Sequence, residues 1–143
     1  FEPLTLAAGI ALGLPVAAVM NINNMRDSTA DAAKGKHTIA NRLYGRRAAL
    51  GPDAGERAMR LYHLVLVWCS VALFLIAIAV AGGPTPRTLA GAVIVCLCAR
   101  PLLGATYGVA RELDHTKLDR FMAPTSMGTV LVALGVTAAL VIA

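Results

Sequence analysis

The residues best suited to chemistry lie in a polar cluster at positions 23–36, which interrupts an otherwise apolar sequence. Asp27 and Asp31 are four residues apart, and on a helix this spacing places both carboxylates on one face, with Cβ atoms about 6 Å apart. Two carboxylates that face the same way repel each other unless a cation lies between them. Mg²⁺ typically takes one or two carboxylates together with phosphate oxygens. The spacing therefore predicts a magnesium site.

Amide and cationic side chains surround the two carboxylates: Asn24, Arg26, Lys34 and Lys36. Neutral donors and positive charge are what a phosphate ligand bridged through Mg²⁺ requires. The alternative interpretation is a solvated helical turn in which Asp31 and Lys34 form an i,i+3 surface pair. The residues themselves leave both interpretations open.

The composition indicates a membrane protein. The chain has 143 residues, of which 57% are hydrophobic and 15% charged, with a mean hydropathy of +0.68. An ordinary soluble domain has roughly 25% charged residues. The net charge of +5 does not indicate nucleic-acid binding, since aromatic residues are not interleaved with the basic ones. The three cysteines fall in apolar runs, which is typical of small buried hydrophobic side chains.

Four apolar runs predict an all-α fold, a multi-spanning transmembrane helical bundle with spans at about 4–22, 61–81, 88–110 and 121–143. The polar loops between them are 23–60 and 111–120. Eight of the thirteen Lys and Arg residues lie in the first of these loops and three in the second, whereas the short turn near residue 85 has one. The positive-inside rule therefore places both polar loops, and with them Asp27 and Asp31, in the cytoplasm.

Two polar residues inside the apolar runs require an explanation. Arg100 precedes Pro101. Either it faces a cavity, or it lies close enough to a membrane interface to extend its charge into water. His63 lies near the start of the second span, where a structural role is favoured over a catalytic one. The chain begins at Phe1 without a signal-peptide pattern, and four spans enclose little space, so we expect it to belong to a longer polypeptide.

The polar cluster carries a resemblance to a known family. The motif comprises Asn21-Ile22-Asn23-Asn24-Met25-Arg26-Asp27, then Asp31, Gly35-Lys36, Thr38 and Arg42-Leu43. It resembles the second aspartate-rich motif of the UbiA-type intramembrane prenyltransferases. Its Asn-Asn-x-Arg-Asp form, and the later Arg111-Glu112-Leu113-Asp114, look like the 1,4-dihydroxy-2-naphthoate polyprenyltransferase branch. Tyr44 between Leu43 and Gly45, and an apparent insertion at 46–56, depart from the family pattern.

The resemblance implies nine spans around a central cavity, of which this chain would supply the last four and missing N-terminal helices the rest. In the family, Mg²⁺ holds a prenyl diphosphate between two aspartate-rich motifs, so this segment alone would lack half of the metal site. By resemblance, Asp27 and Asp31 are the catalytic Mg²⁺ ligands. Asn24, Arg26 and Lys36 are the expected diphosphate contacts, and Lys34 is a weaker candidate because it can pair with Asp31.

The implied reaction is the transfer of a polyprenyl group from its diphosphate to 1,4-dihydroxy-2-naphthoate, with loss of the carboxyl group, to give demethylmenaquinone. The implied location is the plasma membrane, with the active-site loops in the cytoplasm. Another aromatic acceptor, such as hydroxybenzoate, homogentisate or a haem precursor, is an alternative. Non-enzymatic alternatives are a transporter segment or a membrane scaffold, although the acidic pair follows a span and no internal repeat is visible.

Overall fold

The computed structural model describes residues 3–47, 50–51 and 53–142, and these residues form helices and connecting turns without a β-strand. In chain order the α-helices are α1 (Pro3–Arg26), α2 (Ser28–Ala33), α3 (Ile39–Arg47), α4 (Ala54–Gly82), α5 (Pro86–Arg111) and α6 (Met122–Ile142). A 3₁₀ helix, His115–Phe121, precedes α6. The predicted all-helical fold is confirmed.

Within the described part of the chain, four helical segments are long and apolar enough to cross a membrane: Leu6–Arg26, Ala54–Gly82, Pro86–Arg111 and His115–Ile142. They correspond to the four predicted spans, and the chain therefore has the helices of a membrane protein. The main difference is α4, which begins at Ala54 rather than near residue 61. Glu56 and Arg60 look like loop residues by their charge, but they pair across one helical turn. Ala143 and residues 48–49 and 52 of the predicted segments lie outside the described residues.

Small residues allow α5 and α6 to pack closely along most of their length. A Cβ added to Gly135 would lie 2.8 Å from the Sγ of Cys98, and one added to Gly128 would lie 2.6 Å from the backbone nitrogen of Leu102. Such backbone approach is typical of glycines in membrane helix pairs. These contacts fix the register of the two antiparallel helices.

The buried apolar residues form two clusters. The larger one lies in the middle of the bundle and joins α1, α4, α5 and α6 through residues that include Ala18, Phe74, Ile78, Leu102 and Val132. The smaller one lies toward the polar loops and consists of Ile22, Met25, Ala40, Met59, Val109 and Leu118. Because its members come from five elements, the smaller cluster anchors the loops that carry the candidate site.

The chain leaves α1 without losing helical register. The Asp27 N–H donates to the Asn23 carbonyl at 2.9 Å, and the Asp31 N–H donates to the Asp27 carbonyl at 2.8 Å. The predicted one-turn spacing of the two carboxylates is therefore present in the backbone. The chain then turns at Gly35, whose φ of 69° favours glycine.

The short helix after Thr38 is α3, in which the Thr38 Oγ1 accepts from the Asn41 N–H at 3.2 Å. This helix continues to Arg47. Asp53 precedes α4, but its side chain accepts no capping hydrogen bond. It lies 4.0 Å from Arg57 instead, on the exposed first turn of α4.

Candidate functional site

Arg26, the last residue of α1, binds two carboxylates, those of Asp27 and Asp119, and the side-chain amide of Asn23. Its Nε donates to Asp27 Oδ1 at 2.7 Å and its Nη2 donates to Asp27 Oδ2 at 2.8 Å. The same Nη2 donates to Asn23 Oδ1 at 2.7 Å, and Nη1 donates to Asp119 Oδ1. The guanidinium fork suits this arrangement because it presents several donors in one plane. Arg26 thereby joins the first polar loop to the second.

Asp31 is nearly buried, with 9% of its side chain exposed, and its Oδ1 accepts from the Nζ of Lys36 at 2.8 Å. The turn at Gly35 brings Lys36 back over α2, and the Lys36 carbonyl accepts from the side-chain amide of Asn41 at 2.9 Å. The alternative surface pair of Asp31 with Lys34 is not formed. The interpretation of Asp31 as a solvated residue is therefore wrong, because its carboxylate is covered and its cation comes from across the turn.

The charges of the cluster keep Asp27 ionised. The hydrogen bonds from Arg26 hold the pKa of the Asp27 carboxyl below its usual range, and the positive charges of Lys36 and Lys34 act in the same direction. The hydrogen bond to Asp31 raises the pKa of Lys36 above its usual value. Lys36 therefore interacts with both carboxylates, by contact with Asp31 and by charge with Asp27.

The donor chemistry of the two carboxylates fits a hard divalent cation. Among the described residues, no group of three or more His, Cys, Asp or Glu side chains is arranged to hold a metal. Two carboxylates together with phosphate and water oxygens are a donor set that Mg²⁺ usually takes. Asp31 Oδ2 accepts no hydrogen bond within this part of the chain, whereas both oxygens of Asp27 accept from Arg26.

The other predicted site residues are less engaged. Asn24 is partly buried and its side chain makes no hydrogen bond to the described residues, and Lys34 is exposed without an ion pair among them. A hollow of about 400 Å³ lies between α2 and α3. Its lining is formed by Ser28, Thr29, Ala32, Asn41, Tyr44 and Gly45, so neither carboxylate faces it. The four residues that the structure groups are Arg26, Asp27, Asp31 and Lys36.

A second polar cluster, centred on Glu56, has no counterpart in the sequence analysis. Glu56 Oε2 accepts from the Tyr44 hydroxyl at 3.0 Å and contacts His115 Nε2 at 3.0 Å, while Oε1 accepts from Arg60. The rings of Tyr44 and His115 stack with centroids 6.2 Å apart. Burial, followed by the charge of Glu56, raises the pKa of the Tyr44 hydroxyl.

Packing adds to the hydrogen bonds of the Glu56 cluster. The Tyr44 ring packs on Gly55, where an added Cβ would lie 2.7 Å from Tyr44 Cδ1. Arg60, in turn, donates to the Val109 carbonyl of α5. The only signal in the sequence was the i,i+4 spacing of Glu56 and Arg60, which predicts that pair but neither Tyr44 nor His115.

Comparisons of the chain with protein-family profiles, with curated proteins and with solved structures found no match. The resemblance of residues 21–43 to the UbiA-type motif therefore stays a prediction. The case for a function depends on the residues of the site and on their contacts.

Proposed function

We propose that this chain is part of a Mg²⁺-dependent intramembrane prenyltransferase of the UbiA type, acting on 1,4-dihydroxy-2-naphthoate. One observation carries the proposal: two carboxylate–cation pairs, Arg26–Asp27 and Asp31–Lys36, lie one helical turn apart where a membrane-length helix ends. Carboxylates for the metal and cations for phosphate are thus available together. The motif at residues 21–43 supplies the family and the acceptor.

On this proposal, Arg26 and Lys36 change their ion-pair partners when the substrate binds. The cations that now neutralise Asp27 and Asp31 would turn to the diphosphate oxygens, to which Arg26 and Lys36 donate charge-assisted hydrogen bonds. The released carboxylates would hold Mg²⁺, which when bound supplies positive charge to the leaving diphosphate. The amide of Asn24, which is not engaged within the described residues, is a further donor for the same oxygens.

The chemistry needs no protein nucleophile. The allylic carbon–oxygen bond breaks, its electron pair leaves with the diphosphate, and the electron-rich ring carbon that carries the carboxyl group forms the new carbon–carbon bond. The electron pair of the bond to the departing carboxyl group restores the aromatic ring. The role of Arg26 and Lys36 is to stabilise negative charge as it develops, which is the larger part of catalysis in such sites. The apolar spans would hold the prenyl tail.

The test is prenyl transfer by the longer polypeptide to which we expect this chain to belong, reconstituted in lipid. Labelled prenyl diphosphate is supplied with naphthoate, hydroxybenzoate, homogentisate or a haem precursor, with and without Mg²⁺. We expect a Mg²⁺-dependent product with the naphthoate, and its loss in Asp27→Ala and in Asp31→Ala. Asp53→Ala is the matched control, because that carboxylate is 78% exposed and pairs only loosely with Arg57.

Two results would contradict the proposal. Near-normal turnover in either Asp27→Ala or Asp31→Ala would remove the metal-binding role, provided that the variant protein is folded. Transfer to a different acceptor would be consistent with the proposed superfamily but would contradict the proposed acceptor, 1,4-dihydroxy-2-naphthoate.

A further inference from the structure

A charged side chain, Arg100, lies at mid-depth of a membrane-length helix. In α5 it follows Pro86 by 14 residues and precedes Arg111 by 11. With a rise of 1.5 Å per residue, it is about 21 Å from one end of the helix and about 16 Å from the other. The residue is therefore far from both ends of its span.

The packing of α6 gives a second measure of this depth. Cys98 lies against Gly135 and Leu102 lies against Gly128, so Arg100 is level with residues 131–132 of the antiparallel helix. These are the middle residues of Met122–Ile142. The hydrocarbon core is about 30 Å thick, which leaves about 15 Å to either interface. An extended arginine side chain spans on the order of 7 Å by standard bond lengths, too little to place its charge in the headgroup region.

The face of α5 that carries Arg100 is uncovered. Residues at spacings of three and four share this face, and all are exposed: Val93, Leu97, Arg100, Gly104 and Tyr107. Within residues 3–47, 50–51 and 53–142, no carboxylate is paired with Arg100. A Cβ added to Gly104 would meet nothing within 4 Å, so the backbone is accessible one turn from the charge.

We propose that this face binds another membrane helix that carries an Asp or Glu side chain at the same depth. Intramembrane arginines face protein or water because hydrocarbon does not solvate them. The opposite charge would neutralise Arg100, and Gly104 would allow close helix approach, as small residues do in membrane helix pairs. The proposal concerns an interaction surface and does not depend on the prenyl-transfer reaction.

A second copy of this chain does not fit as the partner. None of its eight acidic residues falls within 4–22, 61–81, 88–110 or 121–143, the four apolar runs of the sequence. A symmetric contact would in addition place one Arg100 against the other. The partner helix is therefore a different segment, one that contains a carboxylate within its apolar run.

The test uses synthetic single-span polyleucine helices as probes, mixed with the chain in phosphatidylcholine vesicles. One probe has a central Glu, one has a central Gln and one has only Leu. Association is measured by resonance energy transfer from a donor on the chain to an acceptor on the probe. We expect the Glu probe to associate at least about tenfold more tightly than the Leu probe, with the Gln probe between them.

Variants of the chain assign the effect to one residue. Arg100→Leu is expected to lose the preference for Glu, and Arg100→Lys to keep part of it. Arg87→Leu is the matched control, since it removes an exposed arginine from the outer end of the same helix. Circular dichroism of each variant shows whether the helices are retained.

Three outcomes would overturn the proposal. Equal association of the Glu and Leu probes would show that the partner helix needs no carboxylate. Loss of the Glu preference when phosphatidylglycerol is added would make a lipid headgroup the occupant. Labelling of Arg100→Cys by a membrane-impermeant maleimide, in a chain whose Cys69, Cys96 and Cys98 are replaced by Ala, would show that the face borders water.

Discussion

Arg26 contacts carboxylates from both polar loops, so both loops contribute to the candidate site. It was expected near Asp27 from the sequence, but its second carboxylate partner, Asp119, is 93 residues away. The bidentate contact with Asp27 and the contact with Asp119 divide one guanidinium between two acids. A lysine at this position would provide one ammonium group without the planar fork, so Arg26→Lys would not preserve the arrangement.

The ion pair of Asp27 predicts a pH dependence of stability. Its pKa is lowered in the folded chain, so the stabilisation is present above the ordinary aspartate pKa and is lost as the pH falls through the folded value. We expect the wild type to melt at a higher temperature than Asp27→Asn at pH 7. The two melting temperatures should converge in acid, below the usual range of aspartate. Thermal unfolding in mixed micelles from pH 7 to about pH 2 measures this.

A constant difference between the two proteins over the whole pH range would contradict that expectation, because the effect would then not involve titration. Asp53→Asn serves as the control and should show little difference at any pH, since its carboxylate is 78% exposed.

At the scale of elements, Glu56 holds the ends of the helices together. Through Tyr44 it contacts α3, through His115 the 3₁₀ helix, and through Arg60 the Val109 carbonyl of α5. A single carboxylate on the first turns of α4 thus connects four elements. These four elements, together with α1, also carry the smaller apolar cluster.

Replacing this carboxylate is predicted to be costly. Glu56→Ala leaves the Arg60 guanidinium, of which 9% is exposed, without its counter-charge, and also removes the partner of the Tyr44 hydroxyl. We expect a loss of about 2–4 kcal/mol in the free energy of unfolding, since Glu56 itself is partly exposed and the full penalty of a broken buried pair is about 3–5 kcal/mol. Unfolding by SDS in mixed micelles measures it. Asp53→Ala, on the same helical turn, should change stability little, and an equal loss there would contradict the role given to Glu56.

The contact between α5 and α6 makes a separate prediction. Gly128→Ala places a methyl group 2.6 Å from the backbone nitrogen of Leu102, and backbone has little freedom to move away. We expect a loss of about 1–3 kcal/mol, as for overpacking in a core. Gly13→Ala is the matched control, because a Cβ there meets nothing within 4 Å. Its better helix propensity should leave stability unchanged or raise it by up to about 1 kcal/mol. The same unfolding assay compares the two variants.

Local features of these elements could be predicted from the sequence, whereas the contacts between them could not. Apolar run length predicted the four long helices. The partner of Asp31 was missed because the turn at Gly35, rather than helical spacing, decides whether Lys34 or Lys36 reaches it. The contacts of Asp119 and His115 were missed because they depend on how the last polar loop packs against α1 and α4.

At the scale of the whole molecule, the four long helices alternate in direction, so both polar loops lie at the same end of the bundle. Arg26–Asp119 and Glu56–His115 join these two loops directly. From the positive-inside rule we expect that end to lie in the cytoplasm, where Mg²⁺ and phosphorylated substrates would be available to the proposed enzyme. The short turn around Pro84 lies at the opposite end.

This orientation predicts a pattern of labelling. In a chain without its native cysteines, Ala32→Cys should react with an impermeant maleimide only from the cytoplasmic side, and Pro84→Cys only from the outer side. Both positions are exposed, so access to the reagent is not limited by packing. Sealed cells and inverted vesicles distinguish the two sides. The reverse pattern would show that the charge count does not set the orientation.

The length of α4 has a mechanical consequence. Its 29 residues extend about 44 Å, against a hydrocarbon core of about 30 Å, so we expect its first turns to extend beyond the hydrocarbon core. Glu56 and Arg60, which bind the neighbouring elements, lie on these first turns. In a thicker membrane α4 would tilt less from the bilayer normal. The polar loops that are bound to its first turns would then move together with the helix. Membrane thickness would thus adjust the height of the polar end above the lipid while preserving its internal contacts.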